Sequence, residues 1–437
     1  MLKMAKQTKQ ITVLGATAIG VGGMMGAGLY TLLGLATKSA GQWLPISFLI
    51  GGLVALFSVY SYAKLGIKYP SRGGAAQFLL KSFGDGLLAG GLNVFQYLGW
   101  IVAIALYATG FSEYACQLLG QSAQGMLGKL ISLAIILLVV IVNILGSDKV
   151  AKAQTMIITI ELIILFGFLA LGVTHLHLAA TSFKVTANPL VGVCSAAAIL
   201  YVTYEGFGVV TNAAGNMKDP VHELPRAMYW SLGIVMGIYL LVSTVVVLTL
   251  GVSGAIQNQG HVLATAGKLL GGHLGMIAIS IAALVATASA VNSTMFGDEN
   301  LGLRIAKTDE IPTSFGLMTA IGGTWGLFVT ALLAAIFVII FPLAAVGQMA
   351  SLTFLLVYAM VSVGHLRVRQ QTGAKLGMLI GAISFNLILF LLLFIQNIIA
   401  GHVLTWSSVL GLLVLSFILE WAWRKHTGQV TTWLGQN

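Results

Sequence analysis

Two acidic side chains, Glu161 and Glu205, fall in the middle of long apolar stretches of this 437-residue sequence. A carboxyl group in such surroundings lacks the solvent that normally keeps it ionised, so it binds a proton, pairs with a cation or contacts a charged ligand. For Glu161, reversible proton binding is the leading interpretation and a structural hydrogen bond is the alternative. For Glu205, recognition of an ammonium group competes with titration and with a carboxylate satisfied by backbone N–H groups.

Two glycine-rich segments, residues 22–28 and 205–208, interrupt apolar stretches in a similar way. A helix that is broken inside an apolar layer exposes backbone N–H and C=O groups, which then need a ligand or a cavity. In the first segment, residues 25–28 would begin a second half-helix, whose free N–H groups and positive dipole end suit a carboxylate. The alternative is that these glycines only allow helices to pack closely.

The predicted binding site combines both interruptions with the polar residues around the second one. Asn212 follows that interruption, and since a helix turns only some of its faces towards a cavity, one or two of these polar residues must be bystanders. The predicted proton-coupling residues are Glu161 and Glu205. The predicted substrate-binding residues are Gly23, Met25, Gly26, Ala27, Gly28, Tyr201, Thr203, Tyr204, Glu205, Gly206 and Phe207.

Other polar residues give weaker signals. Glu113 and Glu420 lie near the ends of apolar stretches, where we expect solvated side chains. One stretch carries a polar group that either receives a cation or hydrogen-bonds to a neighbouring helix, namely Thr287, Ser289, Asn292, Ser293 and Thr294. The sequence contains no H-E-x-x-H motif, cysteine cluster or Walker loop, so we predict no metal, no cofactor and no ATP hydrolysis.

The elements that position these residues must be membrane helices. Hydrophobic residues make up 58% of the chain and charged residues only 8%, and Asp, Glu, Lys and Arg are absent from residues 227–267, 311–366 and 376–419. Each gap is long enough for at least one helix of about 20 residues. These stretches are continuously apolar and do not alternate with period two, which argues against a β-barrel. The sequence therefore predicts an all-α integral membrane protein.

Apolar stretches between charged or Pro/Gly-marked turns predict twelve spans. With the N-terminus in the cytoplasm, 18 of the 22 basic residues lie on the cytoplasmic side, which supports cytoplasmic termini in an inner (plasma) membrane. The net charge of +10 thus reflects a loop bias, and no nucleic-acid partner is predicted. The predicted spans are residues 11–36, 43–66, 86–118, 128–146, 151–174, 192–216, 226–251, 271–303, 320–341, 344–365, 376–398 and 402–423.

The two interruptions fall in the first and the sixth of these spans. Two blocks of five spans, residues 11–174 and 192–366, therefore each open with a broken helix. Because five is odd, the second block is inserted upside down, which is the inverted-repeat plan of many secondary transporters. The predicted regions are 1–174, 175–366 and 367–437, the last holding the two spans outside the repeat.

Three motifs resemble the amino acid/polyamine/organocation transporters: residues 23–30 (GMMGAGLY), the segment from 62–66 (YAKLG) to 70–74 (PSRGG), and 204–208 (YEGFG) with the following D-P and P-R pairs. The resemblance covers about residues 11–366. It implies the leucine-transporter fold, with an amino acid carboxylate at Gly26, Ala27 and Gly28 and its amino group on carbonyls of the first and sixth helices. Ala27 stands where the family usually has serine, which removes a hydroxyl contact.

Two further departures concern ionisable groups. Some proton-coupled members resemble this chain in span five but have a lysine where Glu161 stands. Many members have an acid where this chain has Gly208, whereas its acid is Glu205, and a displaced negative charge hints at a cationic substrate.

We therefore predict a proton-coupled amino acid transporter that works by alternating access, with an amino acid or amine, protons and membrane lipids as its partners. The near alternatives are a polyamine or other organic-amine carrier and an exchanger without net proton movement. A channel or receptor would need a charged pore ring or a soluble signalling module, and an enzyme would need a catalytic histidine, cysteine or metal pair. The sequence displays none of these, and it does not predict an oligomeric state.

Overall fold

The structure is a computed structural model that describes residues 11–71, 74–145, 150–174 and 189–435. Within these ranges the chain is almost wholly helical, with no β-strand and one isolated bridge between Met318 and Thr324. Ten stretches of the described chain are long and apolar enough to cross a membrane, and two shorter apolar helices accompany them. The prediction of an all-α membrane fold is confirmed. The predicted boundary between residues 174 and 175 lies at the edge of a segment, 175–188, that is outside the described residues.

The helices are numbered in chain order. In the first part of the described chain they are α1 (Val13–Met24), α2 (Ala27–Ala40), α3 (Leu44–Lys68), α4 (Gly74–Phe83), α5 (Leu87–Leu118), α6 (Met126–Leu145), α7 (Val150–Thr174) and α8 (Pro189–Leu200). A 3₁₀ helix, Tyr201–Asn216, continues α8 and is called the 3₁₀ segment below. After it come α9 (Pro220–Gln257), α10 (Val262–Lys307), α11 (Trp325–Ile340), α12 (Leu343–Arg367), α13 (Arg369–Thr372), α14 (Leu376–Ile399) and α15 (Val403–Thr427).

Glycines bend the two longest helices where the sequence predicted span boundaries. In α9 the backbone leaves helical geometry at Gly251 (φ 65°), and in α10 it does so at Gly271 and Gly272, the latter with φ 63°. Left-handed φ values of this kind are open to glycine at little cost, so the chain can bend there and start a new helix. The predicted boundaries at residues 251 and 271 coincide with these bends.

The sequence analysis missed α4, which is too short to span a membrane. Its apolar residues recur on one face, and Ala76, Phe78, Leu79 and Phe83 are buried under the bundle. A short amphipathic helix of this kind is held by that face and not by lipid.

The bundle is built around α5. Nearly all of this helix is buried, since α10, α12, α15, α6 and α11 all pack against it. A second contact region joins α1, the 3₁₀ segment and α9. On the outside, α6, α7, α14 and α15 expose leucine and isoleucine side chains, as expected for helices that face hydrocarbon. The chain is thus a multi-pass integral membrane protein.

Candidate functional site

The predicted interruption of the first span is present between α1 and α2. The α1 helix ends at Met24, Met25 has φ −76° and ψ 33°, and Gly26 is extended with φ −79° and ψ −151°. Gly26 is the N-cap of α2 and, having no side chain, offers no side-chain cap. The N–H groups of the first turn of α2, and the positive end of its dipole, are therefore available to an anion.

The sixth span departs from α-helical geometry in a different way from the one predicted. A break was expected at residues 205–208, but the change begins earlier, at Tyr201, and the chain continues as a 3₁₀ helix to Asn216. Sixteen residues of 3₁₀ helix are unusual, because runs beyond three or four residues are uncommon and mark strained or functional segments. Ser351 on α12 stabilises the junction, since its hydroxyl accepts from Val202 N (3.2 Å) and donates to Ile199 O (2.6 Å).

The interruption of the first span and the 3₁₀ segment touch each other at glycine residues. We call this contact, formed by Gly23 and Gly28 with Thr203 and Gly206, the crossing. A Cβ atom on Gly23 would lie 3.0 Å from Gly206 O, and one on Gly206 would collide with the backbone of Gly23 and Met24. A Cβ on Gly28 would lie 2.7 Å from Thr203 Cγ2, and one on Gly26 would lie 3.1 Å from Ala290 Cβ on α10. The glycines predicted to bind substrate therefore also bring the backbones of the first and sixth spans into direct contact.

Tyr239 on α9 links the carbonyl groups of both segments at the crossing. Its hydroxyl donates to Met24 O at 2.5 Å and to Thr203 O at 3.2 Å, and the side chain is fully buried. Met24 O belongs to the last turn of α1, whose carbonyls have no intrahelical partner. The sequence analysis missed Tyr239, because a tyrosine in an apolar stretch is commonly a packing residue; the one signal is a hydroxyl group in the middle of a predicted span.

The hydroxyl groups predicted around the second interruption have protein partners in this conformation. Tyr201 shares a hydrogen bond with Ser58 Oγ (2.9 Å), Thr203 donates to Leu200 O (2.6 Å) and Tyr204 donates to Phe48 O (2.8 Å). The side chain of Asn212 is exposed, away from the crossing. These bonds hold the 3₁₀ segment against α3 and α8.

Glu161 on α7 lies next to the crossing. Its side chain is 3% exposed, and its carboxyl group faces the hydroxyls of Tyr30, in the first turns of α2, and Tyr239. Within the described ranges Glu161 forms no ion pair, and its Oε1 atom and the Tyr30 hydroxyl lack partners with regular hydrogen-bond geometry. A buried carboxyl without a cation is most stable with a proton or a cationic ligand.

Glu205 lies in a separate cluster, formed by aromatic residues. It is 8% exposed, and the Tyr358 hydroxyl donates to its backbone oxygen (3.0 Å) and lies beside its carboxyl group, with Tyr62 and Tyr107 also near. The rings of Phe207 and Tyr358 are 5.0 Å apart between centroids. A carboxylate among aromatic faces is a suitable environment for an ammonium group.

Two expectations about acidic residues need correction. Glu420 was expected to be solvated, but it is fully buried and its Oε1 accepts from Arg424 Nε at 2.5 Å. Glu113 is only partly exposed and lies 3.8 Å from His261 Nδ1. The sequence analysis did not single out Asp298 on α10 and Glu310 just after it, both of which are buried.

The polar residues predicted on α10 mainly stabilise helices. Thr287 and Ser293 donate to carbonyls of their own helix, at Ala283 (2.7 Å) and Ala290 (3.3 Å). Asn292 accepts a hydrogen bond from Asn143 on α6 at 3.0 Å. Asn292 therefore forms a hydrogen bond to a neighbouring helix, which was the alternative to cation binding.

Comparisons with known proteins agree with this architecture. The family model for amino acid permeases matches residues 11–419. An uncharacterized protein of Methanocaldococcus jannaschii is 30% identical over 97% of this chain and 97% of its own length. The inner membrane transport protein YbaT of Escherichia coli is 31% identical over 96% and 97%, and the branched-chain amino acid permease BcaP of Lactococcus lactis is 25% identical over 82% of both chains.

The apolar helices, the family match and the transporters among these relatives together identify a multi-pass membrane transporter and not an enzyme. The chain belongs to the amino acid permease family, as the match over nearly its whole length shows.

Proposed function

We propose that the protein is a secondary active transporter of amino acids that is coupled to protons and works by alternating access. The observation that carries this proposal is the crossing, where the free N–H groups of α2 and two carbonyls held by Tyr239 lie beside the Glu161 carboxyl, which has no cationic partner among the described residues. The name of BcaP, a branched-chain amino acid permease, supports the same class of substrate.

The substrate carboxylate would bind the N–H groups at Gly26, Ala27 and Gly28. Its amino group would bind the carbonyls of Met24 and Thr203, and would replace the Tyr239 hydroxyl as their donor. Gly23 and Gly206 would let the two segments approach the substrate, while Met25, Tyr201, Tyr204 and Phe207 would shape the cavity once the helices part. In this arrangement each charged end of an amino acid meets the backbone dipole of opposite sign.

Glu161 would carry the coupled proton. It lies against Tyr30, in the first turns of α2, and so it is placed to respond when the half-helices of span one move. Glu205 would stabilise a cationic group in its aromatic cluster, or titrate in its place. Tyr107 lies near both Glu205 and Tyr239, and would connect the Glu205 cluster with the crossing.

The proposed topology has twelve spans in an inner (plasma) membrane, with both termini in the cytoplasm. Its plan is a leucine-transporter-type 5+5 inverted repeat over residues 1–174 and 175–366, followed by two spans in 367–437. It is supported by the ten long apolar stretches together with the shorter helices α1 and α11, and by the changes of helix geometry in the first and sixth spans.

The test is uptake of a panel of radiolabelled amino acids and polyamines into proteoliposomes, with and without an inward proton gradient. Gradient-stimulated uptake of an amino acid is the expected result. Uptake of polyamines alone, or exchange that ignores the gradient, would instead establish the organic-amine carrier or the exchanger.

The organic-amine alternative is favoured by one observation, the acid at Glu205 among aromatic rings. Glu205→Gln separates the two cases, because it should weaken uptake of cationic substrates more than that of neutral amino acids. An equal effect on both substrate classes would remove charge recognition from Glu205.

A further inference from the structure

A cavity of about 490 Å³ opens at the end of α3, where it is bounded by α9 and α13. It lies apart from the crossing, and no residue predicted to bind substrate or protons lines it. Its walls come from three helices that meet at the end of the bundle, so it is a feature of the fold and not of one loop.

The charged side chains that line this cavity, among the described residues, are all positive. They are Lys64 and Lys68, one turn apart on α3. Neither lysine forms an ion pair with any residue in the described ranges. Two ammonium groups on one wall repel each other, and an anion bound between them removes that repulsion.

Hydrogen bonds fix the opposite wall of the cavity. The Gln371 side-chain oxygen accepts from the Tyr69 hydroxyl at 2.7 Å, which leaves its amide NH₂ group free to donate. Thr372 Oγ1 is 2.8 Å from His365 Nε2, and the buried His365 ring is held on its other side by Ser61 Oγ at 2.8 Å. The polar wall is therefore preorganised although α13 is only one turn long.

The third side of the cavity is mainly apolar. Val221, Pro225 and Tyr229 line it from the first turns of α9, a helix that can span the membrane. Val221 is 55% exposed, and Trp230, which follows Tyr229 in the sequence, is 65% exposed. Tyrosine and tryptophan at the end of a span are typical of the headgroup region of a bilayer.

We propose that this cavity binds the phosphate group of an anionic phospholipid. Lys64 and Lys68 supply the positive charge, the Gln371 amide donates a hydrogen bond, and the acyl chains lie along Val221 and Tyr229. Basic pockets between membrane helices recognise anionic headgroups in this way. The recognition chemistry is that of any phosphate, and the apolar third wall favours a lipid over a soluble phosphate as its source. The proposal does not depend on the transported substrate.

The test compares lipid binding by the purified protein and by Lys64→Gln/Lys68→Gln, using native mass spectrometry with phosphatidylglycerol added to the detergent. The expected result is a bound phosphatidylglycerol on the wild type and an affinity about thirty-fold lower for the double variant, since each lysine near a membrane surface contributes roughly five-fold. The matched control, Lys307→Gln/Lys425→Gln, removes the same charge from exposed positions at the ends of α10 and α15 and should bind like the wild type.

Three results would overturn the proposal. The first is equal binding of phosphatidylglycerol by both double variants, and the second is binding of phosphatidylcholine by the wild type as tight as that of phosphatidylglycerol. The third is a gain in thermal stability from inorganic phosphate alone that equals the gain from phosphatidylglycerol. The last would assign the cavity to a soluble phosphate. If the double variant does not fold, Lys68→Gln alone, at an exposed position, should still lower the affinity about five-fold.

Discussion

Two regions of the molecule bury a glutamate, and they differ in the partner of its carboxyl group. At the crossing, Glu161 has no cationic partner among the described residues. At the first turn of α5, which we call the base of α5, Glu420 lies against Gly90 and is paired with Arg424. Arg424 also contacts Asp85 Oδ1 at 2.5 Å. A paired charge is a fixed part of the structure, while an unpaired carboxyl gains or loses a proton as its surroundings change. Burial alone therefore does not distinguish a functional acid from a structural one.

The C-terminal residues strengthen this contrast. The carbonyl oxygens of Thr432 and Trp433 accept from Leu87 N (3.0 Å) and Leu88 N (3.1 Å), and thus cap the start of α5. Arg424 donates to Val430 O at 3.3 Å, which ties the same residues to the ion pair. The base of α5 thus combines an ion pair with backbone bonds, whereas the Glu161 carboxyl at the crossing has no cation beside it among the described residues.

The largest effect is expected from removing the cation at the base of α5. Arg424→Met leaves Glu420 buried without its partner, which should lower the free energy of unfolding by about 3–5 kcal/mol. Thermal unfolding of the detergent-solubilised protein measures this loss. Lys425→Met, at the exposed neighbouring position, is the control and should change little; a similar loss in both variants would contradict a structural role for the ion pair.

The next effect concerns the glycine contact at the crossing. Gly206→Ala places a methyl group against the backbone of Gly23, which should cost about 1–3 kcal/mol and reduce substrate uptake to about a tenth or less. Gly215→Ala, in the same 3₁₀ segment but with no atom within 4 Å of the added carbon, is the control. Normal uptake by Gly206→Ala would mean that the close approach is not needed for transport.

A smaller effect is expected at the hydroxyl that links the two segments. Tyr239→Phe removes the hydroxyl that the substrate amino group would have to displace from the carbonyls of Met24 and Thr203, so substrate KM should fall by about three- to ten-fold. The carbonyls left without this donor should cost about 1–3 kcal/mol of stability. Tyr114→Phe removes a comparable buried bond, to Tyr30 O at 2.9 Å, and is the control. Equal KM values for both variants would argue that the Tyr239 hydroxyl only stabilises the fold.

These contrasts also show what the sequence can predict. The apolar stretches predicted the helices because lipid requires them, and the glycines predicted the interruption of span one. The predicted span boundaries at residues 251 and 271 fall where the backbone bends. Glu420 was misassigned because a residue near a span end is expected to reach water, whereas its burial depends on Gly90, which is distant in sequence. The extent of the 3₁₀ segment and the position of Tyr239 depend on packing against other helices, which one sequence does not reveal.

A separate effect is a pH dependence of stability outside the membrane spans. Burial raises the pKa of Glu310, which follows α10, to about 8; the side-chain amide of Asn93 and the nearby Arg424 oppose this shift, and Glu420 adds to it. Between about pH 5 and pH 8 the folded protein keeps a proton that the unfolded chain releases, so stability should fall as the pH rises. Glu310→Gln should flatten the dependence of Tm on pH over this range, and an unchanged slope would contradict it.

The most direct test of the account is proton-driven accumulation by Glu161→Gln in proteoliposomes, compared with substrate exchange by the same preparation. The account predicts that accumulation under an inward proton gradient falls about tenfold or more while exchange is largely retained, because glutamine cannot carry the proton. Accumulation that equals the wild type across pH 5–8 would contradict the assignment of Glu161 as the proton carrier.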